Sequence, residues 1–315
     1  MGVTAGVDVG GTKVAVGVVD AQGTILARRR RASVANKPGE VEKVIAALVG
    51  ELAREHPIEA VGVGAAGFVD ETRSVVRFAP NLGWREQPVR AQLEALLGLP
   101  VVVENDANAA AWGEYRFGAA REHRDVALIT VGTGIGGGLV ADGALYRGGS
   151  GLAGEVGHLR LVHPDGRPCG CGRTGCWEQY ASGSALVREA RALALADRAG
   201  AAHLLELGDG TPEAIRGRHV TSAAKDGDPV AGQAFVNVGS WLGRGMAELS
   251  AVLDPSCFVV GGGVSDAGDL LLEPARATFA AEVVAAQNRP PVPIVLATLR
   301  NDAGIVGAAD LARDR

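Results

Sequence analysis

The run Asp8-Val9-Gly10-Gly11-Thr12-Lys13 constrains the chain more than any other feature, because it sets two glycines between two valine-rich segments, Thr4 to Val9 and Val14 to Val19. Such a segment closes a tight hairpin whose backbone amides can face phosphate oxygens, and it leaves Asp8 at the end of a buried strand as a candidate magnesium ligand. It is not a Walker A loop, which needs lysine directly after its second glycine and a helix next; here Thr12 intervenes and a strand follows. A similar unit recurs from Leu128 to Val140, around Gly132-Thr133-Gly134-Ile135-Gly136-Gly137-Gly138. It too runs into a strand, which argues against a dinucleotide-binding fingerprint. Either unit alone reads equally well as a plain hairpin. Their pairing predicts two halves that grip one nucleotide. A third cluster, Gly261, Gly262 and Gly263, ends the apolar run Cys257 to Val260 and offers close backbone approach to a flat adenine or ribose.

At 315 residues the chain exceeds the size at which one core stops growing, so two lobes are expected, with a cleft between them as a common place for a ligand. Apolar spacing and glycine or proline breaks predict a third antiparallel strand over Thr24 to Arg30 after a turn at Gln22 and Gly23. They also predict helices over Pro38 to Glu55 and Val89 to Leu97, and strands over Ala60 to Ala65 and Val101 to Glu104. An alanine-rich helix, Ala107 to Tyr115, precedes a second strand pair at Val126 to Val131 and Gly138 to Ala141. A loop-rich stretch from about Ser150 to Cys176 then gives way mostly to helices, among them a long one from Pro229 to Leu253. The last helix, Gly304 to Ala312, is expected to pack back on the first lobe. The corresponding division is a smaller α/β domain over residues 1–106, completed by 300–315, and a larger one over 107–299.

Composition excludes several functions. With 47% hydrophobic and 21% charged residues the chain is too apolar to be disordered, and a net charge of −5 supplies no cationic field for nucleic acid. The one basic run, Arg28 to Arg31, reads as the solvated end of a strand. No apolar stretch is long enough to cross a bilayer and no signal sequence opens the chain, so a cytoplasmic location is expected.

Two segments carry chemistry of their own. Glu104-Asn105-Asp106-Ala107-Asn108 sets acids and amides at a strand-to-helix junction. Asx residues there are usually N-caps. A cap alone does not need three polar residues between an apolar strand and an alanine helix, whereas a hydroxyl-binding site with a general base does, so Asp106 is the candidate base and Asn105 its neighbour on the substrate. Downstream, three of the four cysteines, Cys169, Cys171 and Cys176, share a tight glycine-rich loop, and His158 lies upstream. Three thiolates and one imidazole make a closed structural zinc site over residues 158–176, with His163 as the rival fourth ligand and reduced free thiols as the bland reading. Cys257, inside an apolar strand, is expected in the core.

Together these residues resemble the ROK family of bacterial sugar kinases and sugar-responsive repressors, within the larger group sharing the two-lobed, ribonuclease H-like fold of actin and hexokinase. The likeness runs nearly end to end, and is strongest at Asp8 to Lys13, Glu104 to Asn108, Gly154-Glu155-Val156-Gly157-His158, and the C-x-C-G-x-x-G-C-x-E signature from Cys169 to Glu178. It implies mixed sheets with flanking helices and a zinc loop, and transfer of the terminal phosphate of ATP to the 6-hydroxyl of a hexose, glucose before others. Asp106 would take the hydroxyl proton. Asn105, Glu155, His158 and Glu178 would hold the other hydroxyls, with Gly67 and Asn81 lining the pocket and His158 serving both sugar and zinc. Asp8, Gly10, Gly11, Thr12, Lys13, Thr133, Gly134 and Gly261 to Gly263 would hold Mg-ATP.

The rivals are weaker. A repressor of this family carries a helix-turn-helix ahead of the first phosphate turn, and here that turn begins at Asp8. A cytoskeletal actin-like ATPase would need neither the sugar carboxylates nor the cysteine loop. Within the kinases, N-acetylglucosamine, N-acetylmannosamine, mannose and fructose remain alternative substrates, and polyphosphate an alternative donor. Family habit implies a homodimer or homotetramer.

Overall fold

Valine on alternate positions, with alanine and glycine between, makes both faces of the first two strands largely apolar, and most of their residues are buried: β1 (Val3–Val9) and β2 (Lys13–Val19) pair antiparallel with Asp8 opposite Ala15. The computed structural model describes residues 2–34, 37 and 39–313. β3 (Ile25–Ala32) forms the sheet edge and turns its arginines to solvent, where Arg28 pairs with Asp302 and Arg31 with Glu51. Exposed pairs of this kind contribute only about 0–1 kcal/mol each, so the run chiefly keeps the edge soluble and unpaired.

α1 (Glu40–Ala53) follows; Pro38, where the spacing put its start, lies outside the described residues. β4 (Ile58–Ala65) then pairs parallel with β1. A small antiparallel sheet comes next, made of β5 (Phe68–Val69), β6 (Val76–Ala79) and β7 (Trp84–Gln87). Strands of two to four residues are too short for an alternation to be visible in the sequence, and this sheet was not expected from it. α2 (Val89–Leu97) has the bounds its apolar spacing predicts. β8 (Val101–Asn105) completes a five-stranded sheet of order β3-β2-β1-β4-β8 and runs straight into α3 (Asp106–Phe117).

A second five-stranded sheet has the order β11-β10-β9-β12-β13. Its members are β9 (Val126–Val131), β10 (Ile135–Ala141) and β11 (Ala144–Tyr146), joined later by β12 (Cys257–Gly261) and β13 (Ile294–Leu296). Helices fill the interval: α4 (Glu178–Ala181), α5 (Gly183–Ala196), α6 (Ala202–Leu207), α7 (Gly217–Lys225) and α8 (Pro229–Leu253), with α9 (Asp269–Glu282) between the last two strands. The ends of α8 are chemical: Asp228 accepts from the Ala231 amide at 2.8 Å, Pro229 opens the first turn, and Asp254 ends the helix in the left-handed conformation. Cys257 is buried in β12 as expected.

α10 (Ala303–Leu311) is buried along most of its length and lies against α3, β1 and β4. Glycine makes the approach this close: a Cβ on Gly62 would stand 1.7 Å from the Ala308 carbonyl oxygen, and one on Gly307 1.8 Å from that of Ala109. Asp310, also buried, accepts from Trp112 Nε1 at 2.8 Å and pairs with Arg116 at 3.0 Å. The chain divides into two compact units, Met1–Leu128 with Gly137–Gly154 and Ala297–Arg315, and Ile129–Gly136 with Glu155–Leu296. No helix among the described residues is long and apolar enough to cross a membrane.

Candidate active site

In the first unit, the parallel register of β1, β4 and β8 sets Asp8 opposite Gly64 and Gly64 opposite Glu104, so Asp8 and the head of α3 share one end of the sheet. Burial is the main reason the Asp8 carboxyl is pushed above the ordinary aspartate range; the charge of Asp106 pushes it further and Lys13 partly opposes both. The Asp106 carboxyl is raised as well, by burial first, against backbone amides that favour its charged form. One of these is the Ala107 N–H, at 2.9 Å. Two carboxylates so placed suit a bound cation, which would relieve both burial and repulsion.

The glycine turn of the first hairpin closes through the Gly10 amide on the Lys13 carbonyl at 3.0 Å. A Cβ on Gly11 would come within 3.1 Å of the Asn81 carbonyl, so the turn and the helical turn Pro80–Leu82 are immediate neighbours. Asn105 is an N-cap after all: its Oδ1 accepts from the amides of Ala107 and Asn108, at 2.9 and 3.0 Å. Its Nδ2 donates to the Gly67 carbonyl at 3.1 Å, leaving one amide hydrogen for a ligand. Spacing gave no hint of the groups behind this junction. Glu104 is buried and meets Arg73 Nε at 3.0 Å and Arg147 Nε at 2.8 Å, two arginines from loops remote in sequence.

In the second unit, His158, Cys169, Cys171 and Cys176 offer ligand atoms that all lie within 4.8 Å of one another. Cys169 Sγ is 3.7 Å from His158 Nδ1, and Cys171 Sγ 3.6 Å from Cys176 Sγ. A tetrahedral zinc site with bonds of about 2.3 Å has edges of roughly 3.8 Å, so the set fits that ion closely. Burial pushes the Cys169 thiol up to about 12. Burial also acts to raise Cys171, but hydrogen bonds from the Arg173 backbone and from Cys169 outweigh it and bring that thiol down to about 6. His163 is not in the cluster; its Nδ1 faces Arg160 at 3.1 Å. With His158 Nδ1 turned to the cysteines, Nε2 points toward Glu155, 3.9 Å away. Glu178, first residue of α4, accepts from the Cys169 thiol at 3.0 Å and lies against Gly134.

Thr133 borders a cavity of about 1060 Å³ within the same unit, together with Gly263. The Gly132 carbonyl accepts from the Gly183 amide at 2.8 Å and that of Thr133 from Ser184 Oγ at 2.7 Å, which ties the glycine turn to the head of α5. Gly262, at φ 85°, lies against the Val131 backbone, next to this turn. Arg218, Thr221 and Lys225, all on α7, line the cavity and were not foreseen, because polar residues on an amphipathic helix look like an ordinary solvated face.

Two mixed five-stranded sheets, each carrying a glycine turn, and a half-buried carboxylate at a strand-to-helix junction define the actin and hexokinase class of fold. The sequence profile of the ROK family matches residues 4–315, and the chain belongs to that family. Glucokinase of Streptomyces coelicolor is 52% identical over 314 residues, covering 100% of this chain and 98% of the relative. N-acetylmannosamine kinase of Escherichia fergusonii is 36% identical over 313 residues, with 98% of each covered. A crystal structure of a ROK family glucokinase from Streptomyces griseus in complex with glucose and AMPPNP aligns at a TM-score of 0.90 with 52% identity, over 100% of both chains.

Proposed function

We propose that this chain is an ATP-dependent glucokinase that converts glucose to glucose 6-phosphate in the cytoplasm. The observation that carries the reading is the pair Asp8 and Asp106 at one end of a sheet, in a chain that matches a glucokinase from end to end. Phosphoryl transfer asks chiefly for alignment and charge neutralisation. Asp106 takes the proton of the sugar 6-hydroxyl, and burial, by raising its proton affinity, suits it to that task. The resemblance makes Asn105, Gly67, Asn81, Glu155, His158 and Glu178 the remaining sugar contacts.

Asp8 is the magnesium site, and Gly10, Gly11, Thr12 and Lys13 hold phosphates through the first turn. Thr133, Gly134 and Gly261 to Gly263 serve the nucleotide in the second unit, where the large cavity has room for adenosine. Magnesium, when bound, neutralises phosphate charge. His158, Cys169, Cys171 and Cys176 would hold a structural zinc, since four protein ligands would leave no open position for a water. With Nδ1 on the metal, His158 would keep its second ring nitrogen oriented for the sugar. The resemblance favours a homodimer or homotetramer.

The likeness to an N-acetylmannosamine kinase supports a second reading, in which a related hexose is the preferred acceptor. A coupled assay over glucose, mannose, fructose, N-acetylglucosamine and N-acetylmannosamine decides between them. Glucose should give the highest kcat/KM, and a higher value for an N-acetylated sugar would overturn the assignment.

A further inference from the structure

We propose that Glu104, clamped by Arg73 and Arg147, is a positioning residue that aims the Asp106 carboxylate; the inference rests on the reading of Asp106 as base. Glu104 Oε1 accepts from the Asn105 backbone N–H at 2.9 Å and from Asn108 Nδ2 at 3.1 Å, the residues immediately before and two after Asp106. Its Oε2 faces Arg73 Nε at 3.0 Å and Arg147 Nε at 2.8 Å. A carboxylate offers about four acceptor positions; here three donors, Asn105 N–H, Asn108 Nδ2 and Arg73 Nε, meet them, and the Arg147 guanidinium adds an ion pair without a hydrogen bond from its Nε. The group is therefore held in one orientation, and it holds the head of α3 in turn.

Both arginines bring other segments to this point. Arg73 sits in the turn between β5 and β6, a turn knit by Asp70, whose Oδ1 accepts from the amides of Ser74 at 2.8 Å and Val75 at 2.9 Å. The Arg73 carbonyl accepts from the Val103 amide at 3.0 Å, which would anchor the turn to β8 without any side chain. Arg147 arrives from the segment after β11 and also donates to the carbonyls of Asp70 at 2.8 Å and Glu71 at 2.9 Å. Holding the turn thus does not require a buried acid. The remainder of β8, Val101 to Val103, shows that valine satisfies the packing of this strand. What only Glu104 supplies is an acceptor for both the amide before Asp106 and the side chain after it.

A shift of about 1 Å in a reacting group can cost about a hundredfold in rate. Glu104→Gln keeps the volume but puts an NH2 toward two guanidiniums, so the carboxamide must turn away or be displaced. Expected is a fall in kcat of at least about tenfold, with glucose affinity measured by calorimetry within about threefold of wild type; Tm should fall as well, because a buried ion-pair partner is removed. Arg147→Lys, which keeps a cation but loses the fork to Asp70 and Glu71, should lower kcat less than Arg147→Gln does. These two variants decide the matter should Glu104→Gln fold poorly. Wild-type kcat in Glu104→Gln, or kcat and glucose affinity falling together by similar factors in all the variants, overturns the proposal. An active Asp106→Asn enzyme sinks the base assignment itself, whereas an inactive Asp106→Asn beside a fully active Glu104→Gln sinks only the positioning role.

Discussion

The Cys169 thiol donates to the Glu178 carboxylate across 3.0 Å, so a residue of the cysteine cluster and a proposed sugar contact share one proton. Metal binding removes protons from thiols. A Cys169 thiolate holding zinc would no longer donate, which would leave Glu178 to accept from a sugar hydroxyl in its proposed role. Purified protein should therefore contain about one zinc per chain by elemental analysis. Cys171→Ser should raise the apparent glucose constant far more than the ATP constant. Metal-free protein with unchanged glucose kinetics would return the cluster to ordinary reduced thiols.

Asp106→Asn preserves shape and removes the proposed base. A general base contributes on the order of a hundredfold or more, so turnover should fall at least that far while calorimetric glucose affinity survives. Activity within about tenfold of wild type in the purified variant would rule Asp106 out.

The two raised carboxyls set a pH signature. Protonation disables the base, so kcat/KM should fall on the acid side at a pH above the usual aspartate value of about 3.9. An acid whose native pKa exceeds its unfolded value contributes stability that is present below the unfolded value and is lost as pH rises through the native one. Asp106→Asn should for that reason melt higher than wild type at neutral pH, and the advantage should shrink toward pH values near 4. In the same variant the Asp8 carboxyl, followed by carbon NMR, should titrate lower than in wild type, since the Asp106 charge is one of the causes that raise it.

Gly62→Ala tests the close contact beneath α10. Its methyl would stand 1.7 Å from a backbone carbonyl oxygen, which cannot rotate aside as a side chain can. Overpacking of this kind costs about 1–3 kcal/mol or more, and a drop in Tm of several degrees is expected. Gly50→Ala, on α1 with nothing within 4 Å of a Cβ, is the matched control and should leave Tm unchanged or higher.

Much of this architecture was legible because the signals were local. β1, β2, α2 and α8 lie within a residue of where apolar spacing and caps put them, and the four metal-ligand candidates were readable from residue type and proximity in the chain. His158 is the preferred fourth ligand in the sequence, with His163 as its rival, and the fold brings His158 to the cysteines while His163 faces Arg160. Asn105 shows a different limit: capping and ligand binding ask for the same side chain at the same junction, and here the cap is made while one donor hydrogen stays unused. Arg73 and Arg147 carried no signal at all, because an isolated arginine in a loop has no period to betray its partner.

The backbone-to-backbone seating of α10 on β1, β4 and α3 also sets an order of events. A ribosome adds about 5–20 residues per second, so the sheet that bears Asp8 and the helix that bears Asp106 emerge well before the segment that seals them. Until Ala303–Leu311 leaves the exit tunnel, glycines such as Gly6 and Gly62 leave a naked groove along the nascent sheet. The second unit, Ile129–Gly136 with Glu155–Leu296, is by then fully synthesised. The N-terminal unit, first to be made, is thus the last to be finished, and a message truncated before codon 303 would encode the whole second unit but not the helix that covers the first sheet.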